Sequence, residues 1–127
     1  MKNAHDSFEI VELIPAQAAT ATVTGAAANI RQYVGKVKVI LMSSIGGGTT
    51  PTLDVKIQDS PDGSTGWADV SGATFTQVTD AADSTQDIGM EIDSINPFVR
   101  AVGTITGTSP TFSFAVGLIG MQQVPTT

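Results

Sequence analysis

Cysteine is absent from the 127 residues. That excludes a disulfide framework and any thiolate metal centre, and it leaves the redox compartment open. Histidine is almost absent too, with His5 as its sole instance. A hydrolytic triad needs a base positioned by a third group, and His5 lies in a patternless stretch that supplies no frame. Basic residues are few: six Lys and Arg against twelve Asp and Glu give a net charge of −6. Affinity for nucleic acid comes largely from neutralising phosphates, so DNA and RNA are not expected partners. No apolar run reaches the roughly 20 residues that span a bilayer, and no membrane is expected. Residues 1–25 lack the basic start and compact apolar core of a secretion signal.

What the chain has in quantity is Thr, Ser, Gly and Val, at the expense of helix formers, which points to an all-β fold. Hydrophobic residues make up 41% and charged residues 14%, which argues against disorder of the whole chain. The length allows one domain with a core of its own.

The strongest local signal is Leu53–Val70, LDVKIQDSPDGSTGWADV. Leu53, Val55 and Ile57 alternate with Asp54, Lys56 and Gln58, as on a strand with one buried face. Ser60-Pro61-Asp62-Gly63 then predicts a turn, because proline presets φ at its first corner and glycine accepts positive φ. Trp67, the only tryptophan, opens the return strand. At this position it is expected to anchor the core, burying a large ring while its N–H finds an acceptor. The competing reading is a platform on which sugars stack.

Along the rest of the chain, Phe8–Ile14 reads as a strand ended by Pro15. Ala16–Ala28 is rich in small residues, with a strand near Ala19–Thr24 and a loop or helical turn over Ala26–Gln32. Residues 1–33 together look like an N-terminal arm, able to contribute strands or to lie along a neighbouring molecule. Gly35–Ser43 is a strand with Val37, Val39 and Leu41 toward the core. Its other face begins with Lys36 and Lys38 but continues with Ile40 and Met42, so its far end needs a cover on both sides. Gly46, Gly47 and Gly48 lack the lysine and helix start of a phosphate loop and read as a hairpin loop. Further strands are predicted over Ala73–Thr79, Gln86–Asp93, Phe98–Thr106 and Thr111–Met121, the last two joined by a tight turn at Gly107–Pro110. In the last strand Phe112 and Phe114 share a face with Val116 and Leu118 and join Trp67 as expected core anchors. About eight short strands with regular turns describe an antiparallel β-sandwich, jelly-roll or Greek-key like, over residues 34–122, followed by a tail at 123–127.

The acidic residues around Asp54, Asp59, Asp62 and Asp69, and again from Asp80 to Asp93, lack the ladder of a calcium loop. They read as a solvated face that blunts sheet edges, so no metal or other cofactor is expected. Arg100 lies on the face of Phe98 and Val102. It should either pair with an acid such as Asp87 or Glu91 or meet another subunit. With Phe8, Ile10, Val23, Ile40 and Met42 it forms the set of candidate partner contacts.

Two stretches carry a resemblance. V-K-I-Q-D-S-P-D-G-S-T-G-W-A-D-V and N-P-F-V-R-A-V-G-T-I-T-G-T-S-P-T-F-S-F-A-V resemble small virion structural proteins of tailed bacteriophages, over roughly Val37 to Leu118. The resemblance implies an all-β, non-enzymatic component of a phage particle. It points most directly to a decoration or cement protein, made in the host cytoplasm and placed on the outer capsid surface. The implied partner is the major capsid protein, and the implied assembly a trimer, since cyclic closure leaves no open ends. A tail or head–tail connector component is the alternative within that class. A carbohydrate-binding module built on Trp67 is the alternative outside it.

Overall fold

The computed structural model describes residues 8–122. His5, the rest of residues 1–7 and the tail at 123–127 lie outside the described residues. The fold is an all-β sandwich with antiparallel pairing throughout. Its strands are β1 (Phe8–Ala19), β2 (Val23–Thr24), β3 (Ala28–Asn29), β4 (Tyr33–Ser43), β5 (Gly47–Ser60), β6 (Ala68–Thr74), β7 (Ser84–Glu91) and β8 (Phe98–Gln122). A 3-10 turn, Ile92–Ser94, precedes β8.

Everything is arranged along β8. Its second half, from Phe112 onward, lies between β1 and β4, and β7 extends that first sheet beyond β4. Its first half lies between the short strands β2 and β3 on one side and β5 on the other. Beyond β5, β6 completes the second sheet. Phe98–Thr106 and Thr111–Met121 are therefore one strand that changes sheets, and the expected tight turn at Gly107–Pro110 is a bend without reversal. The reason lies in the backbone: Gly107 takes φ +125° and Ser109 φ +48°, and the register with β5 shifts at the same place. A Cβ at Gly107 would stand 2.9 Å from the Thr50 carbonyl oxygen, so glycine is needed for the two strands to bend together. The buried positions change parity across the bend, from Val99, Ala101 and Ile105 to Phe112, Phe114, Val116 and Leu118.

The same logic corrects the Gly46–Gly48 segment. β4 and β5 both run antiparallel to β8, one after the other, so these glycines form a jog between collinear strands rather than a hairpin. Likewise Pro15 does not end β1. It sits at a register irregularity against β8, where its missing N–H leaves no ladder bond unmade. The stretch expected as a strand over Ala73–Thr79 is strand only to Thr74. After it, Phe75 and Val78 turn inward and clip back onto Val55 and Leu53 through backbone hydrogen bonds of 2.9–3.0 Å.

One core fills the space between the sheets. Val37, Val39 and Leu41 from the first sheet and Leu53, Val55 and Ile57 from the second are all buried, as alternation predicts. Phe112 and Phe114 are buried among them. A Cβ on Gly103 would stand 2.9 Å from the Phe114 ring, so the two halves of β8 face each other with the ring seated on bare backbone. The division at residue 33 is not a structural boundary. Leu13, Ile14, Ala19, Ile30 and Tyr33 are core residues, and Arg31 donates to the Ile92 and Ile95 carbonyls at 2.8 and 2.9 Å. The segment is a built-in layer because its apolar side chains complete the cover over β8.

Two outcomes follow. A chain lacking residues 1–24 should fail to melt cooperatively by circular dichroism, since β8 would lose β1 and β2 along one edge. Phe112→Ala should cost about 3–5 kcal/mol in denaturant unfolding.

Candidate functional site

The register places four of the six candidate contact residues on one surface, the outward face of the first sheet. Phe8 stands opposite Met121, and Ile10 opposite Ile119. On the other side of β8, Lys38 is opposite Ile119, Ile40 opposite Gly117 and Met42 opposite Ala115. Phe8, Ile10, Ile119, Met121, Ile40 and Met42 thus share a face, together with Glu12 of β1, opposite Gly117, and Lys36 and Lys38 of β4. Ile10 is 72% exposed, and Phe8 and Met42 are 56% exposed. A shallow groove of about 460 Å³ is lined by Phe8, Val34, Ile119 and Met121 together with Lys36 and Lys38.

This surface has a charged border. Lys36 and Lys38 of β4 reach across to Glu91 and Asp87 of β7, each at 3.6 Å. These are exposed pairs of small worth for stability. Their position matters more, because an apolar centre with a polar rim is the anatomy of a protein interface. At the β1 end, the buried Tyr33 hydroxyl donates to Glu9 Oε1 at 2.6 Å, and Gln32 Nε2 donates to both. Burial, then the bond to Glu9, raises the Tyr33 pKa, so the phenol stays protonated and pins the start of β1 to β4.

Val23 and Arg100 are not part of this face. Val23 pairs with Gly103 in the second sheet and is half-buried against the core. Arg100 is on the outward face of the second sheet, away from Asp87 and Glu91, which are taken by the lysines. Its Nε donates to Gln58 Oε1 at 2.9 Å, and its guanidinium carbon lies 4.3 Å from the centre of the Trp67 ring. Trp67 is accordingly not a core anchor. It is half-buried on the outside of the second sheet and stands apart from the core cluster. The turn explains the displacement: Gly63, Gly66 and the residues between carry the chain outward, so the ring returns over β8 from the solvent side.

That turn is held by its own side chains. Asp62 Oδ1 accepts from the Ser64 and Thr65 N–H groups at 2.9 and 2.8 Å, and Oδ2 accepts from the Thr65 hydroxyl at 2.8 Å. Ser60 Oγ accepts from the Gly63 N–H at 3.0 Å and donates to the Thr65 carbonyl. The Thr65 and Ser64 backbone bonds hold the Asp62 carboxyl well below the usual carboxylate range. The other acids are dispersed. Asp69 pairs with Lys56 at 3.0 Å, Asp54 accepts from Gln77, and the buried Asp59 accepts from the Asn96 N–H at 2.9 Å. Among the described residues, no three His, Asp or Glu side chains gather as metal ligands would.

Sequence alternation marked Ile40 and Met42 as an uncovered second face. It did not mark Met121, Ile119 or Val34, because their exposure follows from where β1 ends against β8.

No family model and no curated protein matches the sequence. Solved structures resemble it in fold. The exported protein XepA of PBSX superposes with a TM-score of 0.58 at 16% identity, over 100% of this chain and 41% of that one. The infectious bursal disease virus VP2 subviral particle gives 0.57 at 12% identity, over 91% of this chain and 32% of that one. A Bacillus endospore appendage protein, of a family of disulfide-linked pili, gives 0.53 at 17% identity, over 93% and 90%. The chain thus spans about two fifths of XepA and a third of VP2. At these identities the likeness is one of fold.

Two measurements probe the turn and the ring. Trp67→Ala should cost about 1–2 kcal/mol, since a half-buried ring and one cation–π contact are lost, and so less than Phe112→Ala. For Asp62 the folded-state pKa is depressed, so its contribution is present above the unfolded value of about 3.9 and fades as pH falls through the lower folded value. The gap in melting temperature between the parent and Asp62→Ala should therefore be full at pH 6 and shrink steadily below pH 4.

Proposed function

We propose that this chain is a non-enzymatic structural component of a bacteriophage particle. In this reading it is a decoration or cement protein that docks on the outer surface of the capsid and bridges major capsid subunits. The observation that carries the reading is the outward face of the first sheet. Phe8, Ile10, Met42 and Met121 are large apolar side chains left in water on one sheet face, beside the charges of Glu12, Lys36 and Lys38. Fully burying such a side chain contributes roughly 1.5–3 kcal/mol, so a few of them covered by a partner supply a useful docking energy. Exposed apolar side chains grouped on one sheet face in this way mark an interaction site.

Three further observations support the reading. The fold is shared with proteins whose descriptions place them in a viral particle, in a pilus and in PBSX. The residues that resemble phage virion proteins, from Val37 to Leu118, are those that build most of both sheets. The net charge of −6 disfavours the packaged DNA as the binding partner and suits the outside of the shell. A cement protein acts through geometry and buried area: by touching two neighbours at once it raises the free energy needed to separate them. A trimer at a local three-fold position achieves this with every copy in an equivalent contact.

The test is localisation and docking on phage heads. Electron microscopy of particles carrying the protein should show density spread over the head surface. Density restricted to a vertex or to the tail would replace the cement reading by a connector or tail component. Ile10→Asp, at an exposed position, should leave the melting temperature close to the parent value. It should also reduce co-sedimentation with heads about tenfold or more, the effect of setting a charge against an apolar contact. Undiminished co-sedimentation would take the docking surface off this sheet.

A further inference from the structure

The second sheet presents a different kind of surface, with one unfinished side chain at its centre. Asp69, Gln58 and Arg100 form a row across β6, β5 and β8, each opposite the next in register. Gln58 links the other two: its Nε2 donates to Asp69 Oδ1 at 3.0 Å, and its Oε1 accepts from Arg100 Nε at 2.9 Å. The amide therefore has one orientation, with nitrogen to the carboxylate and oxygen to the guanidinium. The guanidinium carbon lies over the Trp67 ring, 4.3 Å from its centre. The arginine is fixed on one edge and one face.

Its terminal nitrogens are not used. Among the described residues, Nη1 and Nη2 of Arg100 have no hydrogen-bond partner, and Arg100 forms no ion pair. The other described cations are engaged. Lys36, Lys38 and Lys56 each pair with an acid, and Arg31 donates to two carbonyls. In a chain with twice as many acids as bases, a half-buried arginine without a carboxylate stands out. The nearest acid in the row, Asp69, is already held by Lys56 Nζ at 3.0 Å and by Gln58. Across the register on the far side of Arg100 run Gly25, Ala26 and Ala27, between β2 and β3, with no side chain larger than a methyl group.

We propose that Arg100, braced by Gln58 and Trp67, is a receptor for a single carboxylate. A planar guanidinium with both terminal NH2 groups free matches a carboxylate bidentately. Bracing by Gln58 and Trp67 removes much of the ordering cost that a free arginine would bear. A single carboxylate fits better than a polyanion, because the net charge opposes an extended negative ligand. The site is on the opposite sheet from the apolar docking face, so it stands or falls separately from the cement reading.

Trp67 is the only tryptophan, so its fluorescence reports on this site in the unmodified protein. The experiment is a titration at constant ionic strength with acetate, with the blocked peptide acetyl-Gly-Glu-Gly-amide, with inorganic phosphate and with chloride. Both carboxylates should change the Trp67 emission saturably in the millimolar range, and chloride should not. Whichever carboxylate saturates at the lower concentration identifies the source, a free acid or an acidic side chain. Arg100→Lys keeps the charge but loses the fork, and should weaken the response about tenfold or more. Gln58→Leu should weaken it as well. No saturable change in the parent protein would overturn the proposal, as would an equal response to chloride or saturation by phosphate at a lower concentration than either carboxylate. Should Arg100→Lys fail to fold, the parent titration, read also at the Arg100 Nε–H resonance by NMR, decides alone.

Discussion

Backbone pairing to β8 holds both sheets of this protein in place. The strand hydrogen-bonds to β1 and β4 with one half and to β2, β3 and β5 with the other. Two packed sheets are held in register by the side chains that interdigitate between them. Here the layers also share a continuous main chain, and the bend at Gly107 sets how one sheet lies over the other. The packing then follows: Phe114 reaches the gap above Gly103, and Val116 and Leu118 face the layer formed by Leu53, Val55 and Ile57.

Because the inward faces are used up by this common core, chemical differences between the two sheets appear only on the outside. The first sheet turns apolar side chains to water along β1 and the end of β8. The second turns out a polar network in which Lys56, Asp69, Gln58 and Arg100 are linked in turn. The two surfaces point in opposite directions, separated by the thickness of a sandwich, about 10 Å between sheets. A rigid body with two unlike faces can touch two different neighbours at once.

Much of the fold was legible in the sequence because alternation survives wherever one face is buried. Val37, Val39 and Leu41, and likewise Leu53, Val55 and Ile57, were assigned to the core by period alone and are buried. What misled was punctuation. Gly46–Gly48, Gly107–Pro110 and Pro15 carry strong turn signals, yet at each the chain bends or shifts register without reversing. Local residue chemistry specifies that the backbone departs from ideal; it does not specify the direction in which it leaves. Trp67 failed for a related reason. The run of turn residues before it was recognised, but the side of the sheet on which the ring lands depends on how far the turn carries the chain. Of the candidate surface, Ile40 and Met42 could be found by period, whereas Phe8 beside Met121 is a pairing of the two ends of the chain and leaves no local trace.

That pairing has a consequence for synthesis. Within residues 8–122 the strand that both sheets need is made after all the others. On the ribosome, Phe8–Ser94 emerges with its apolar faces formed in sequence but without the strand that they line. Five strands then wait for one partner, with bare edges of the kind that associate with other chains. The sandwich can therefore assemble only once β8 has cleared the exit tunnel, and nascent chains need protection until then. A translation stop at the start of β8 would release a chain with most of the core side chains and no axis to assemble them on, a species suited to aggregation rather than to partial function.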